Sequence, residues 1–119
     1  MGAKTIVQNF YKSDVLLESE KVNALLHPEV ILEWHSTKGF LKLNKNQMIE
    51  LSEELNKAYV RSKTRITHIL SEGNTVSVRY SHYVKTIENP REEMLLAHFM
   101  VIWEVKDDKL YRGYQMSQL

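Results

Sequence analysis

The chain has 119 residues, room for one domain around one core and too few for two. Its 16 basic and 15 acidic residues leave a net charge of +1, which gives no long-range field to hold nucleic acid. Cysteine is absent, so disulfides and thiolate chemistry are excluded, and a reducing cytoplasm is the expected location.

Hydrophobic residues at 43% and charged residues at 26% are ordinary for a globular protein. The N-terminal "MGAKTIVQNFYKSD" has polar residues inside its apolar run, unlike a signal peptide. Myristoylation would want Ser or Thr where Ile6 stands. No stretch approaches the ~18 apolar residues of a membrane span, so no membrane partner is expected. Two prolines and four glycines are well spread, with no linker, repeat or low-complexity tract.

The first third reads as helical. Ala3, Val7, Phe10 and Leu17 recur at helical spacing with Ile6 beside them. Ser19 is placed to cap a short helix through "EKVNALL", which Pro28 should stop near His27. "VILEW" reads as a strand ending at a histidine and turning on a glycine. Asn44 and Gln47 have capping-box spacing, and Met48, Leu51, Leu55 and Tyr59 form one apolar stripe behind them. That predicts a helix over residues 45–60.

From Arg61 the period changes to two. Thr64, Ile66 and His68 lead to the turn "SEGN". Val76, Val78, Tyr80, His82 and Val84 then alternate with Ser77, Arg79, Ser81 and Lys85, the clearest strand in the chain. "ENPRE" breaks it before "MLLAHFMVIWEV", and "KDDK" turns that strand into "LYRGYQMSQ". Turn signals between consecutive strands predict antiparallel hairpins. Helices followed by hairpins argue an α+β fold, with the helices on one face of a bent sheet. In the "MLLAHFMVIWEV" strand, Phe99, Val101, Trp103 and Val105 should face the helices. His98, Met100 and Ile102 would then form an apolar outer face, most simply buried against a second copy.

The order of these elements resembles a nuclear transport factor 2-like domain of the SnoaL-like or ketosteroid-isomerase-like kind. The cues are "IVQNFY", "ALLHPEV" running into "ILEW", "GF" before a capped helix, "EGNTVSVRY" and "WEVKDDKLYRGYQ". The resemblance spans nearly the whole chain as a single domain. It implies a cone-shaped fold, N-terminal helices packed on a curved, mainly antiparallel sheet, with a pocket between them. It also implies homodimers through the convex sheet face. The scaffold serves isomerases, cyclases, dehydratases, ligand binders and protein-binding modules, so fold alone does not give function.

The family's catalytic positions do not carry over. A ketosteroid isomerase uses a carboxylate base, a tyrosine and a protonated acid. The resemblance puts Trp34 at the base position, or His35 if the register slips by one. It puts Phe10 at the tyrosine position, with Tyr11 beside it, and Val101 at the acid position. The His-Trp-Asp-like run of SnoaL-like cyclases falls on Gly113, Tyr114 and Gln115. Gln115 can hydrogen-bond a ligand carbonyl but cannot exchange a proton as Asp can.

His82 is the candidate with reactive potential, since alternation points it at the helices. The plainer reading is a core histidine satisfied by one hydrogen bond. Tyr11 reads more simply as solvent-tipped. Asp14, one turn beyond Phe10 on a continued helix, reads as a surface residue or as a carboxylate looking into the cone mouth. His27, His35, His68, His82 and His98 lack metal-motif spacing, so neither metal nor cofactor is expected. Arg61, Lys63 and Arg65 share one parity and read as charges guarding a sheet edge.

The expectation is a homodimeric domain that binds a small hydrophobic or aromatic ligand, without established catalysis. Its pocket would be lined by Phe10, Trp34, Tyr80, His82, Val101, Trp103 and Gln115. One alternative is an isomerase, cyclase or dehydratase using His82 with Asp14 or Tyr11. Another is a protein-interaction module using the sheet face.

Overall fold

The structure is a computed structural model and describes residues 2–119. Helices α1 (Ala3–Phe10) and α2 (Ser19–Leu25) precede strands β1 (Leu26–Ser36) and β2 (Gly39–Asn44). Helix α3 (Lys45–Ala58) follows, then strands β3 (Tyr59–Glu72), β4 (Thr75–Thr86), β5 (Met94–Lys106) and β6 (Lys109–Gln118). The six strands form one sheet in the order β2-β1-β6-β5-β4-β3. All neighbours are antiparallel except β1 and β6, whose parallel pairing joins the two hairpin systems. The fold is therefore α+β, with helices against one face of a curved sheet. Register shifts in the β3–β4, β4–β5, β5–β6 and β1–β6 ladders supply bends. No helix among the described residues is long and apolar enough to cross a membrane.

Helix α1 is shorter than the apolar spacing suggests. It ends at Phe10, and Leu17 belongs to a separate 3-10 turn, Val15–Leu17. Between them Asp14 adopts φ 68°, outside any helix. Two local readings fail nearby. Ser19 is the first residue of α2 rather than its cap, and Glu18 at the cap position makes no side-chain cap bond. His27 lies inside β1, because Leu26 is already extended and pairs with Leu110.

The capping box is present as read. Asn44 Oδ1 accepts from the Gln47 amide at 2.9 Å, and Gln47 Oε1 accepts from the Asn44 amide at 2.9 Å. Strand β2, which alternation did not signal, runs into this cap. Five of its six residues are exposed, so it lacks a clean inward row.

Alternation does describe β4 and β5. Val76, Val78, Tyr80, His82 and Val84 are all buried, as are Phe99, Val101, Trp103 and Val105. The turns between strands carry left-handed residues where the sequence signals them: Gly73, and Asp107 with Asp108.

Trp103 is the largest fully buried side chain. Its ring lies over Gly113 of β6, its Cα partner. A Cβ at Gly113 would stand 2.6 Å from Leu32 Cδ1 and 2.7 Å from Trp103 Cζ3. Gly113→Ala should therefore cost about 1–3 kcal/mol through overpacking. Trp103→Ala should cost about 3–5 kcal/mol through the cavity it leaves. Urea unfolding measures both. A loss below ~1 kcal/mol for either would mean that the indole is not wedged where described.

Candidate functional site

A half-open pocket of about 120 Å³ lies between the helices and the inner sheet face. Helix α1 supplies Phe10 and Tyr11 at its C-terminal end, and α3 supplies Met48, Leu51, Ser52 and Leu55. The sheet supplies Leu32 and Trp34 from β1, Tyr80 and His82 from β4, Phe99 and Trp103 from β5, and Gln115 from β6. No Asp, Glu, Lys or Arg lies on the wall.

Six of the seven residues expected to line a pocket thus share one wall: Phe10, Trp34, Tyr80, His82, Trp103 and Gln115. Val101 does not join them. It is 1% exposed and lies in the core between Val78 and Gln115 in register. Trp34 is half-buried and donates its indole N–H to Ser117 Oγ at 2.8 Å. His35 points the other way, exposed against the Phe40 ring.

Tyr11 is not solvent-tipped. It is 4% exposed, and its hydroxyl accepts the Trp103 indole N–H at 2.9 Å. Its ring packs edge-on against Phe10 and tilted against Tyr80, with centroids 5.0 and 4.6 Å away. The Tyr11 and Tyr80 phenols lie close enough to influence each other's ionisation. Burial pushes both phenols well above their ordinary range, so both stay neutral donors at physiological pH. Helical spacing was the signal for Tyr11: it stands four residues after the buried Val7, and its amide still donates to the Val7 carbonyl at 3.3 Å.

His82 is 4% exposed and bonds Ser62 Oγ through Nε2 at 2.7 Å. Among the described residues its other ring nitrogen has no partner. Burial lowers its pKa to about 4, so the ring is neutral near pH 7. A conjugate acid that strong makes a weak base.

Asp14 does not look into the cavity. Its Oδ1 accepts the Ser62 amide at 2.9 Å, its own amide donates to the Ser62 carbonyl at 2.7 Å, and its Oδ2 pairs with Arg61 at 3.2 Å. The carboxylate pins the start of β3 to the end of α1. Ser62, which the sequence reading passed over, joins this clamp to His82.

Gln115 supplies the least satisfied polar group. It is only 7% exposed, and its side-chain amide makes no hydrogen bond among the described residues. No buried side-chain N or O among the described residues lacks a partner, so the polar atoms of this amide are open to the pocket, where water or a guest can meet them. No group of three or more His, Cys, Asp or Glu among the described residues is arranged to hold a metal ion.

The His82 environment makes stability depend on pH. The unfolded chain takes up this proton near pH 6.5, the native ring only near pH 4. The unfolded state therefore binds more protons between those values, and stability falls as pH drops through them. The difference is worth roughly 3 kcal/mol, fully present above about pH 6.5. Urea unfolding of wild type and His82→Asn, from about pH 7 to about pH 4, should show a flatter profile in the variant by a comparable amount. Parallel profiles would mean that His82 is not held neutral by burial.

The sequence matches no protein-family model and no curated protein. Solved structures do match the fold over nearly its full length. An LEH-like epoxide hydrolase of M. tuberculosis superposes with a TM-score of 0.74 at 15% identity, covering 97% of this chain and 81% of that one. IdmH, a putative polyketide cyclase from Streptomyces antibioticus, gives 0.74 at 10% identity over 98% and 92%. A putative SnoaL-like polyketide cyclase from Shewanella denitrificans gives 0.73 at 7% identity over 97% and 89%. At these identities the likeness speaks for the backbone and its topology. The chain has the nuclear transport factor 2-like fold in the form shared with SnoaL-like and ketosteroid isomerase-like proteins.

Proposed function

We propose that this chain binds a small apolar ligand, of the size of one ring, that carries a hydrogen-bonding group such as a carbonyl. The observation that carries this reading is the half-open apolar pocket of about 120 Å³ with the Gln115 amide, which has no protein partner, on its wall. Dry cavities of roughly 150 Å³ lined by Leu, Ile and Phe accept benzene, whereas drug-sized ligands occupy about 300–1,000 Å³. A single substituted ring is the matching scale. Phe10, Trp34, Tyr80 and Trp103 offer flat contact, and Gln115 and the free nitrogen of His82 offer the polar ends.

The tyrosine pair supports the same reading. Burial keeps both phenols protonated, so each hydroxyl carries a proton to donate. Tyr11 Oη accepts from Trp103, and both rings border the pocket, where either hydroxyl can meet an acceptor on a guest. Proton-transfer chemistry of the isomerase or cyclase type has less support. Its acid–base partner would have been Asp14, which is committed to Ser62 and Arg61, or Tyr11, whose buried phenol holds its proton more tightly than usual, and His82 is a weak base.

A panel of toluene, benzaldehyde and benzamide tests the reading by calorimetry and tryptophan fluorescence. Benzaldehyde and benzamide should bind more tightly than toluene. Gln115→Leu or His82→Asn should cost a polar guest about 1–3 kcal/mol. His35→Asn should leave affinity within about twofold, because the ring is outside. Failure of all three compounds to bind at millimolar concentration sinks the proposal. Loss of binding in His35→Asn alone would put proton transfer back on the first strand.

We further propose that the chain pairs with a second copy through the outer sheet face. Met100 with Met116 and Ile102 with Tyr114 are facing pairs on β5 and β6, exposed by 56, 65, 45 and 40%. On one flank Glu33 and Glu104 outnumber Arg112 beside Tyr114, and Arg79 adjoins Met100 on the other. A two-fold axis along the strands would set the acidic flank of one copy against the basic flank of the other. Met100→Glu should give a monomer at concentrations where wild type sediments as a dimer. A monomeric wild type at tens of micromolar removes this part. The cysteine-free sequence is what supports a cytoplasmic location.

A further inference from the structure

We infer that the cleft between the β3–β4 pair and the loop after β4 is a binding site for a phosphate monoester. This cleft is separate from the apolar cavity and measures about 730 Å³. Arg61 and Lys63 of β3, Lys85 of β4 and Arg91 of the loop line it, against the single carboxylate of Glu93. In a chain whose net charge is only +1, that is a strong local excess of one sign.

The cations are poorly neutralised by the protein itself. Arg61 and Lys85 are facing residues in the β3–β4 register, an arrangement that destabilises a sheet when both are charged. Asp14 answers Arg61 at 3.2 Å. Lys63, Lys85 and Arg91 have no ion-pair or hydrogen-bond partner among the described residues. The nearby Glu92 accepts from Asn89 Nδ2 at 2.8 Å through Oε2 and forms no ion pair with these cations.

Guarding a bare edge explains only part of this. Lys85 is on β4, an interior strand, and is half-buried rather than splayed into solvent. The start of the loop is tied to the strand pair: the Asn89 amide donates to Thr86 Oγ1 at 3.0 Å, and the Ile87 amide donates to the Ala58 carbonyl at 3.3 Å. Beyond it, Pro90, Arg91 and Glu93 form one wall of the cleft. Three unpaired cations around one concavity suit a dianion with three acceptor oxygens better than a single carboxylate.

The full-length chain can be titrated with glycerol phosphate at fixed ionic strength in chloride, followed by backbone amide shifts. Saturable shifts confined to residues 60–63, 83–85 and 90–93 are expected. Lys63→Gln with Lys85→Gln, and separately Arg91→Gln, should weaken binding at least tenfold. Lys38→Gln with Lys42→Gln removes the same charge from exposed positions on and beside β2 and should leave it unchanged. Vesicles carrying phosphatidic acid present the same group on a membrane. Binding to the soluble ester supports a free phosphorylated ligand, and binding to the vesicles alone assigns a lipid headgroup. Binding to neither overturns the site, as does a response that the Lys38/Lys42 pair reduces as much as the Lys63/Lys85 pair.

Discussion

The indole of Trp103 is the contact on which the rest of the interior depends. It touches the helical layer and the neighbouring strand at once. Its face occupies the space that Gly113 leaves open on β6, its edge meets Phe10 at a centroid distance of 5.9 Å, and its N–H ends on Tyr11. An indole this deep would carry an unpaired donor without Tyr11, at a cost comparable to a lost buried hydrogen bond. Satisfying that donor draws Tyr11 inward, and Tyr11 in turn holds Tyr80. Tyr80 stacks on Phe99 at 4.9 Å, which completes the aromatic wall. The cavity is the space this chain of rings does not fill.

A second, polar tie works at the other side of α1. Asp14 and Ser62 exchange two hydrogen bonds through their backbone and side-chain groups, and Ser62 passes one further bond to His82. The left-handed backbone at Asp14 lets the chain leave α1 and still present a carboxylate to β3. The Thr64 hydroxyl adds a bond to the Tyr11 carbonyl alongside. The same two strand positions thus orient α1 and fix the ring of His82. Polarity inside the cavity is therefore a by-product of how the first helix is fastened.

What could be read in the sequence follows the range of the forces involved. Alternation is a local signal, and it gave the inward rows of β4 and β5 residue by residue, His82 included. Capping is also local, and Asn44 with Gln47 was visible for that reason. Strand β2 left no alternation because it lies at the sheet margin, where a strand need bury almost nothing. Ser19 failed as a cap because Glu18 already has the extended backbone of that position. The parallel β1–β6 pairing, the Trp103–Tyr11 hydrogen bond and the Asp14–Ser62 clamp join residues distant in sequence. No window along the chain contains both partners of such a bond. Val101 shows the limit of parity itself: facing inward put it in the core, but only half of an inner sheet face borders a void.

The two faces of β4 and β5 explain how one small chain can present three dissimilar surfaces. Along β4 the inward residues Tyr80 and His82 border the cavity, while the outward Tyr83 and Lys85 border the basic cleft. Along β5 the inward Phe99 and Trp103 complete the core, while Met100 and Ile102 face out. Each surface is built from the residues that the other does not use. A one-residue slip in either strand would exchange the two sets, burying Lys85 and exposing His82. Register is consequently under pressure from both sides of the sheet, and the bulges between His82 and Tyr83 and between Ile66 and His68 fall between segments that keep it. Curvature is introduced at those points, so the sheet can bend around the helices without moving a polar side chain into the apolar cavity.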